Sequence, residues 1–220
     1  MAKTILITGA NRGIGLELAR QAAQRGDQVT GTARSTDQAE FPHGRLVTAD
    51  VTDPESLGPL ADGPPLDVLV CNAGQFLARG GIADPAHTEE AWTSVLMTNV
   101  AGVFFTIRAV LPRLRAASTP KVAVISSIMG SSARALGGSA IYRASKAAAT
   151  NLACNLASEL APDGIAIGAY HPGWVRTDMG SSAADIAVED SAAGLLDRID
   201  RLSLGTSGVF EDYRGEPIPF

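Results

Sequence analysis

Short, apolar, β-branched runs alternate with longer segments of helical periodicity along almost the whole chain, and this alternation constrains the fold more than any other feature. Strands separated by helices pair in parallel through right-handed crossovers, whereas antiparallel neighbours need only a tight turn. The predicted strands are Lys3–Thr8, Gln28–Ala33, Arg45–Ala49, Leu66–Cys71, Lys121–Ser126 and Ile165–Tyr170, with a seventh around Gly208–Phe210. Their continuous hydrophobicity suits a sheet covered on both faces. The first predicted helix, Gly13–Arg25, carries Ile14, Leu18, Ala19, Ala22 and Ala23 on one face and ends at Gly26. A weak helix is expected over Pro54–Leu60, behind a cap at Asp53. A long one is expected over His87–Ala116, with Thr88 as N-cap, Glu89 and Glu90 in the first turn and Pro112 as a potential kink. Ala140–Leu160, stopped by Pro162 and Gly164, and Val188–Leu202 complete the set. The expected fold class is α/β, one doubly wound and mainly parallel seven-stranded sheet with helices on both faces. No linker or composition break interrupts it, so residues 1–220 read as a single domain.

Composition removes several function classes. Eighteen Lys and Arg against 23 Asp and Glu leave a net charge of −5, and aromatics are 5%. A nucleic-acid partner is therefore not expected. No run of about 18 uninterrupted apolar residues is present, so no membrane span is expected. The two cysteines, Cys71 and Cys154, form neither a disulfide framework nor a zinc site and read as reduced thiols of a cytoplasmic protein. His43, His87 and His171 lack ligand spacing and read as structural or solvated, and no metal site is expected.

The first strand runs directly into Thr8-Gly9-Ala10-Asn11-Arg12-Gly13-Ile14-Gly15, where a helix begins. A glycine turn at this place presents backbone N–H groups and a helix dipole to an anion. Gly9 permits the tight turn, and Gly13 and Gly15 permit close approach. Further on stand Asp50-Val51, Asn72-Ala73-Gly74, Ser126-Ser127, Tyr142-x-x-x-Lys146 and Pro172-Gly173. In that order these motifs resemble the short-chain dehydrogenase/reductase family over about residues 3–177, and the stretches from Tyr142 and from His171 are similar to its C-factor-like and carbonyl-reductase-like branch. The resemblance implies a Rossmann-type fold. It also implies a dinucleotide held by Gly9, Asn11, Arg12, Gly13, Ile14, Gly15, Arg34, Asp50, Val51, Asn72, Ala73, Gly74, Tyr142, Lys146, Pro172, Gly173, Val175 and Thr177. Cys71 departs from the family pattern by replacing the first Asn of an Asn-Asn-Ala-Gly turn.

The second strand ends Thr32-Ala33-Arg34, without the acid that would bind a ribose 2′-hydroxyl. A cation there, with Arg12 opposite, suits a 2′-phosphate. NADP(H) is expected in preference to NAD(H). Tyr142 and Lys146 are four apart and share a helix face. The expectation is that the ammonium, together with the charge of an oxidised nicotinamide, lowers the phenol's pKa, so that Tyr142 exchanges a proton with a carbonyl or alcohol. Ser127 is expected to orient the substrate oxygen, with Ser126 as the alternative; it precedes Tyr142 by 15 residues, a longer interval than the family usually shows. The family's Asn, here Asn99, would connect the lysine to water. Residues 178–190, small and polar, read as a mobile lid.

The reading is thus an NADP(H)-dependent oxidoreductase acting on a small carbonyl or alcohol, and a dimer or tetramer as is common in that family. The rival is a dinucleotide-binding regulatory or signalling protein of the same fold with little turnover.

Overall fold

A computed structural model describes residues 2–35, 41 and 43–220. Seven strands form one sheet: β1 (Thr4–Ile7), β2 (Gln28–Ala33), β3 (Arg45–Thr48), β4 (Val68–Cys71), β5 (Lys121–Ile125), β6 (Ala166–His171) and β7 (Phe210–Asp212). Their order is β3-β2-β1-β4-β5-β6-β7, and every pairing is parallel. The order reverses between β1 and β4, which opens a crevice at the carboxyl ends of those strands.

Pleating sends alternate side chains to opposite layers. Ile5, Ile7, Val68, Val70 and Ala123 pack beneath α1 (Gly13–Gln24) and α5 (Val188–Arg201), together with Leu18, Ala22, Leu195 and Ile199. Leu6, Leu69, Cys71, Val122 and Val124 face the other layer, built from α3 (Gly102–Arg115) and α4 (Ala140–Leu160) and filled by Val103, Ile107, Val110, Leu114, Ala149, Ala153 and Leu156. At about 25 cal/mol per Å² of apolar surface removed from water, these two layers supply the main driving force for folding. Cys71 is a buried free thiol whose pKa is pushed up to about 12 by burial, which makes it a small hydrophobe.

The structure corrects four boundaries. Pro54–Leu60 is a set of turns ending in a 3₁₀ turn, Gly58–Leu60. Gly58 and Pro59 weaken an α-helix there, while Leu57 and Leu60 still reach the core. The long helix spans Glu89–Arg115 but contains a π turn, Met97–Ala101, between α2 (Glu89–Leu96) and α3. Thr88 caps it, accepting from the Ala91 N–H at 3.2 Å. An 18-residue stretch of this 27-residue helix has a mean hydropathy of 1.6, long and apolar enough to cross a bilayer, but Val103, Ile107, Val110 and Leu114 on it are buried in the core. The seventh strand lies two residues later than expected. The expected lid is shorter, since residues 188–190 form the first turn of α5 and Ile186 already pairs with Val175.

Candidate active site

The crevice between β1 and β4 opens into a cleft of about 1200 Å³. Gly9, Asn11, Arg12, Gly13 and Ile14 line one end, and Ala33, Arg34, Asp50 and Val51 the side below β2 and β3. Asn72, Ala73 and Thr177 line it beside the glycine turn, and Gly74, Tyr142, Lys146 and Pro172 complete the wall. Gly9 and Gly13 have φ of +64° and +54°, a region that only glycine enters without strain. Gly15 has a different reason. A Cβ there would meet the Gly9 carbonyl oxygen at 2.4 Å, so it packs the helix against the turn and does not line the cleft.

The glycine turn is held by Asn72 and Thr8. The Asn72 side chain donates to the Thr8 and Gly9 carbonyls at 2.9 and 3.0 Å, and the Thr8 hydroxyl accepts from the Asn72 and Ala73 N–H groups at 3.0 and 3.1 Å. Arg12 at the N-cap of α1 makes no side-chain capping bond, and the first turn contains no acid. The N-terminal amides of α1 are therefore free to receive an anion, unlike those of the Thr88-capped α2. Arg34 is exposed at the cleft. Arg12 is also exposed and pairs with Asp178 at 3.3 Å. Asp50 is partly occupied by its own turn, accepting from the Thr52 N–H and hydroxyl at 2.9 and 2.8 Å.

Of the remaining predicted residues, Tyr142 and Lys146 line the cleft, as does Ser126, while Ser127 and Asn99 are not among its lining residues. Tyr142, Lys146, Ser127 and Asn99 are all buried. Lys146 Nζ donates to the Ile125 carbonyl at 2.8 Å and stands 5.6 Å from the Tyr142 ring centroid. A Cβ on Gly74 would lie 3.4 Å from Asn99 Oδ1 and 3.6 Å from Lys146 Nζ, so only glycine leaves that corner open. Asn99 sits in the π turn, where the wider backbone brings its carboxamide to Ser145 Oγ at 2.9 Å and to the Gln75 carbonyl and N–H at 3.0 and 2.8 Å. Ser127 Oγ accepts from the Met129 N–H at 3.1 Å, and its hydroxyl faces the Tyr142 phenol. Ser126 is committed elsewhere, with Oγ 2.6 Å from Thr150 Oγ1 and 3.2 Å from the Lys146 carbonyl.

Desolvation dominates both groups in this structure, whereas the expected lowering of the phenol also drew on the charge of an oxidised nicotinamide. Burial pushes the Tyr142 phenol up to about 12, and the opposing pulls come from Ser127 and Arg79. Burial also lowers Lys146 to about 8. At about 8 Lys146 is still mostly an ammonium at neutral pH, but it is hydrogen-bonded to a carbonyl, and desolvation of the phenol outweighs its pull.

Gly173, Val175 and Thr177 are set by the segment after β6. Gly173 has φ +87°, Val175 is buried and bridged to Ile186, and Gly13 approaches Thr177 closely enough that a Cβ would lie 3.5 Å from its methyl. The segment that follows is tied down by Arg12–Asp178 and by Arg79, which donates to the Met179 carbonyl at 2.7 Å. Sequence reasoning missed Gln75, Phe76, Arg79 and Ser145. Gln75 and Ser145 hold Asn99, and nothing in their spacing marks them; Phe76 stacks on Tyr142.

Known proteins share this arrangement. The chain matches the family profile described as short chain dehydrogenase over residues 3–186. It is 38% identical to C-signal of Myxococcus xanthus over 157 residues, covering 71% of this chain and 93% of that protein. It is 33% identical to 3-oxoacyl-(acyl-carrier-protein) reductase FabG of Escherichia coli (strain K12) over 214 residues, covering 92% of this chain and 84% of that one. The crystal structure of NADPH-bound carbonyl reductase from chicken fatty liver superposes with a TM-score of 0.88 at 29% identity, covering 100% of this chain and 99% of the other. Matched over residues 3–186 and built on a seven-stranded parallel sheet, the chain belongs to the short-chain dehydrogenase family.

Proposed function

We propose that this protein is an NADP(H)-dependent oxidoreductase that interconverts a ketone or aldehyde with an alcohol. The observation that carries the reading is that Tyr142 and Lys146 line the same cleft as the glycine turn, with the buried Ser127 hydroxyl facing the Tyr142 phenol. The residues present fit a phosphorylated dinucleotide. The uncapped amides of α1 suit its pyrophosphate, Arg34 and Arg12 its 2′-phosphate, and Lys146 and the Pro172–Thr177 segment its nicotinamide half. Bound there, the coenzyme supplies or accepts the hydride.

The chain's own residues handle the oxygen and the proton. Ser127 donates a hydrogen bond to the substrate oxygen and polarises it. A phenol held near 12 is protonated at neutral pH, so Tyr142 is a competent donor to the alkoxide formed on reduction. Lys146 and Asn99 keep the floor of the site polar for return of that proton. Residues 178–187 act as a lid whose Arg12–Asp178 tether opens when the coenzyme enters, while the Arg79 bond to the Met179 carbonyl stays in place. The exposed Trp92, Leu96 and Phe104 on one helix support assembly as a homo-oligomer, and the reduced state of Cys71 and Cys154 suits the cytoplasm. Light scattering at several concentrations checks the assembly; a monomer throughout refutes it.

The test is steady-state NADPH oxidation with a panel of aldehydes, ketones and quinones. Tyr142→Phe is expected to abolish turnover with NADPH affinity held within a few-fold. Wild-type kcat in that variant would refute the mechanism. The similarity to C-signal favours a second reading, a dinucleotide-binding signalling protein. Tight NADPH binding with no oxidation across the panel would select it.

A further inference from the structure

Phe76 and Arg79 lie in the loop after Asn72-Ala73-Gly74, outside every motif of the sequence. The Phe76 ring lies almost flat on Tyr142, with centroids 4.1 Å apart and planes 17° from parallel. The Arg79 guanidinium carbon stands 4.4 Å from the Phe76 centroid. A phenol ring at that distance leaves no room for a guanidinium on the same side, so the two neighbours take opposite faces of Phe76. The order is cation, phenyl, phenol.

Two aromatic rings in a face-to-face stack repel through their quadrupoles, and offset or edge-on pairs are preferred. A cation on the outer face is attracted to the same quadrupole and draws electron density away from the inner one. Arg79 thus strengthens the stack from the outer face of Phe76. Its guanidinium is fixed by donating to the Met179 carbonyl at 2.7 Å, and its own carbonyl accepts from Ser139 Oγ at 3.0 Å, one residue before α4 begins. The loop after β4, the lid and the start of the tyrosine's helix therefore meet at this one side chain. The charged groups facing Tyr142 are Lys146 on its own helix, engaged with the Ile125 carbonyl, and Arg79 from this loop.

We propose that Phe76 and Arg79 are positioning residues for Tyr142, Phe76 fixing the plane of the phenol and Arg79 easing the loss of its proton through the stacked ring. The inference rests on the acid–base role assigned to Tyr142 above. It differs from that assignment in placing the useful charge on the loop after β4 as well as on the tyrosine's own helix.

The pH dependence of kcat/KM for alcohol oxidation tests it, because that direction requires an ionised phenol. Arg79→Gln keeps a hydrogen-bond donor on an exposed side chain and removes only the charge. Its acid limb is expected to move upward by about half to one pH unit, with Arg79→Lys returning most of the way and NADPH affinity unchanged in both. A profile that overlays the wild type overturns the proposal. The stack is also read without turnover, from the Tyr142 ring resonances by NMR, identified by their loss in Tyr142→Phe. They are expected to be shifted upfield in the wild type and to move back in Phe76→Leu; identical resonances in the two proteins overturn the proposal. An inactive Tyr142→Phe beside an unshifted Arg79→Gln refutes this inference alone, while an active Tyr142→Phe refutes the reading beneath it.

Discussion

Gly15→Ala isolates the contribution of the glycine turn, because its consequences can be worked from the coordinates. In a helix interior, alanine ordinarily stabilises relative to glycine by about 1 kcal/mol. Here the new Cβ would stand 2.4 Å from the Gly9 carbonyl oxygen and 2.5 Å from Asn72 Nδ2. The first obstacle is backbone and cannot swing away. The second is the nitrogen that donates to both Thr8 and Gly9. Overpacking costs roughly 1–3 kcal/mol, and two lost hydrogen bonds about 1 kcal/mol each. After the gain in propensity is subtracted, the net loss is about 2–4 kcal/mol, or roughly 4–16 °C in Tm for a chain of this size. Urea unfolding and calorimetry measure it. A fluorescence titration with NADPH should show affinity reduced by at least about tenfold, since the α1 amides move with the turn. Gly58→Ala is the control. Nothing lies within 4 Å of its Cβ, and its effect should stay within about 0.5 kcal/mol. A Gly15→Ala protein as stable as the control and with native affinity for NADPH would refute the account of how this turn is built.

Three further outcomes are expected. Arg34→Ala should lower the preference for NADPH over NADH, as the ratio of kcat/KM values, by roughly 10- to 100-fold through loss of the bidentate partner; an unchanged ratio would remove Arg34 from the coenzyme site. Ser127→Ala should lower kcat by roughly 10²–10³ with little change in stability, and Ser126→Ala should do the reverse, costing about 1–2 kcal/mol for its bonds to helix α4; equal kcat losses would contradict the separation. Burial lowers His171 from 6.5 to about 4. The unfolded chain therefore takes up a proton first as pH falls, and stability is lost between about pH 6.5 and 4. His171→Asn should remove roughly 2–3 kcal/mol of that slope in urea titrations.

Much of this was legible in advance because the two kinds of residue it depends on are marked in the sequence. β2 and α4 fall where periodicity puts them, and about half of the cleft lining carries residues singled out in the sequence. The failures have physical causes. In Pro54–Leu60, Leu57 and Leu60 satisfy a 3₁₀ turn as well as an α-helix, so their spacing does not discriminate. The Tyr142–Lys146 spacing fixes a shared face but says nothing about desolvation, which dominates both groups once they are buried. Phe76 and Arg79 reach the tyrosine only through the path of a loop, and a loop path has no period to read.

The π turn at Met97–Ala101 has a consequence for how this chain can change. A π turn holds one residue more than the α-helix would need to cover the same length. Deleting Thr98 would let the segment relax to an ordinary helix. Residues from Val103 to Leu114 would stay in phase with the sheet, but the Asn99 carboxamide would rotate out of reach of Gln75 and Ser145. Architecture and chemistry are separable here by a single codon: the shortened chain should fold and still retain the nucleotide, while its turnover is lost.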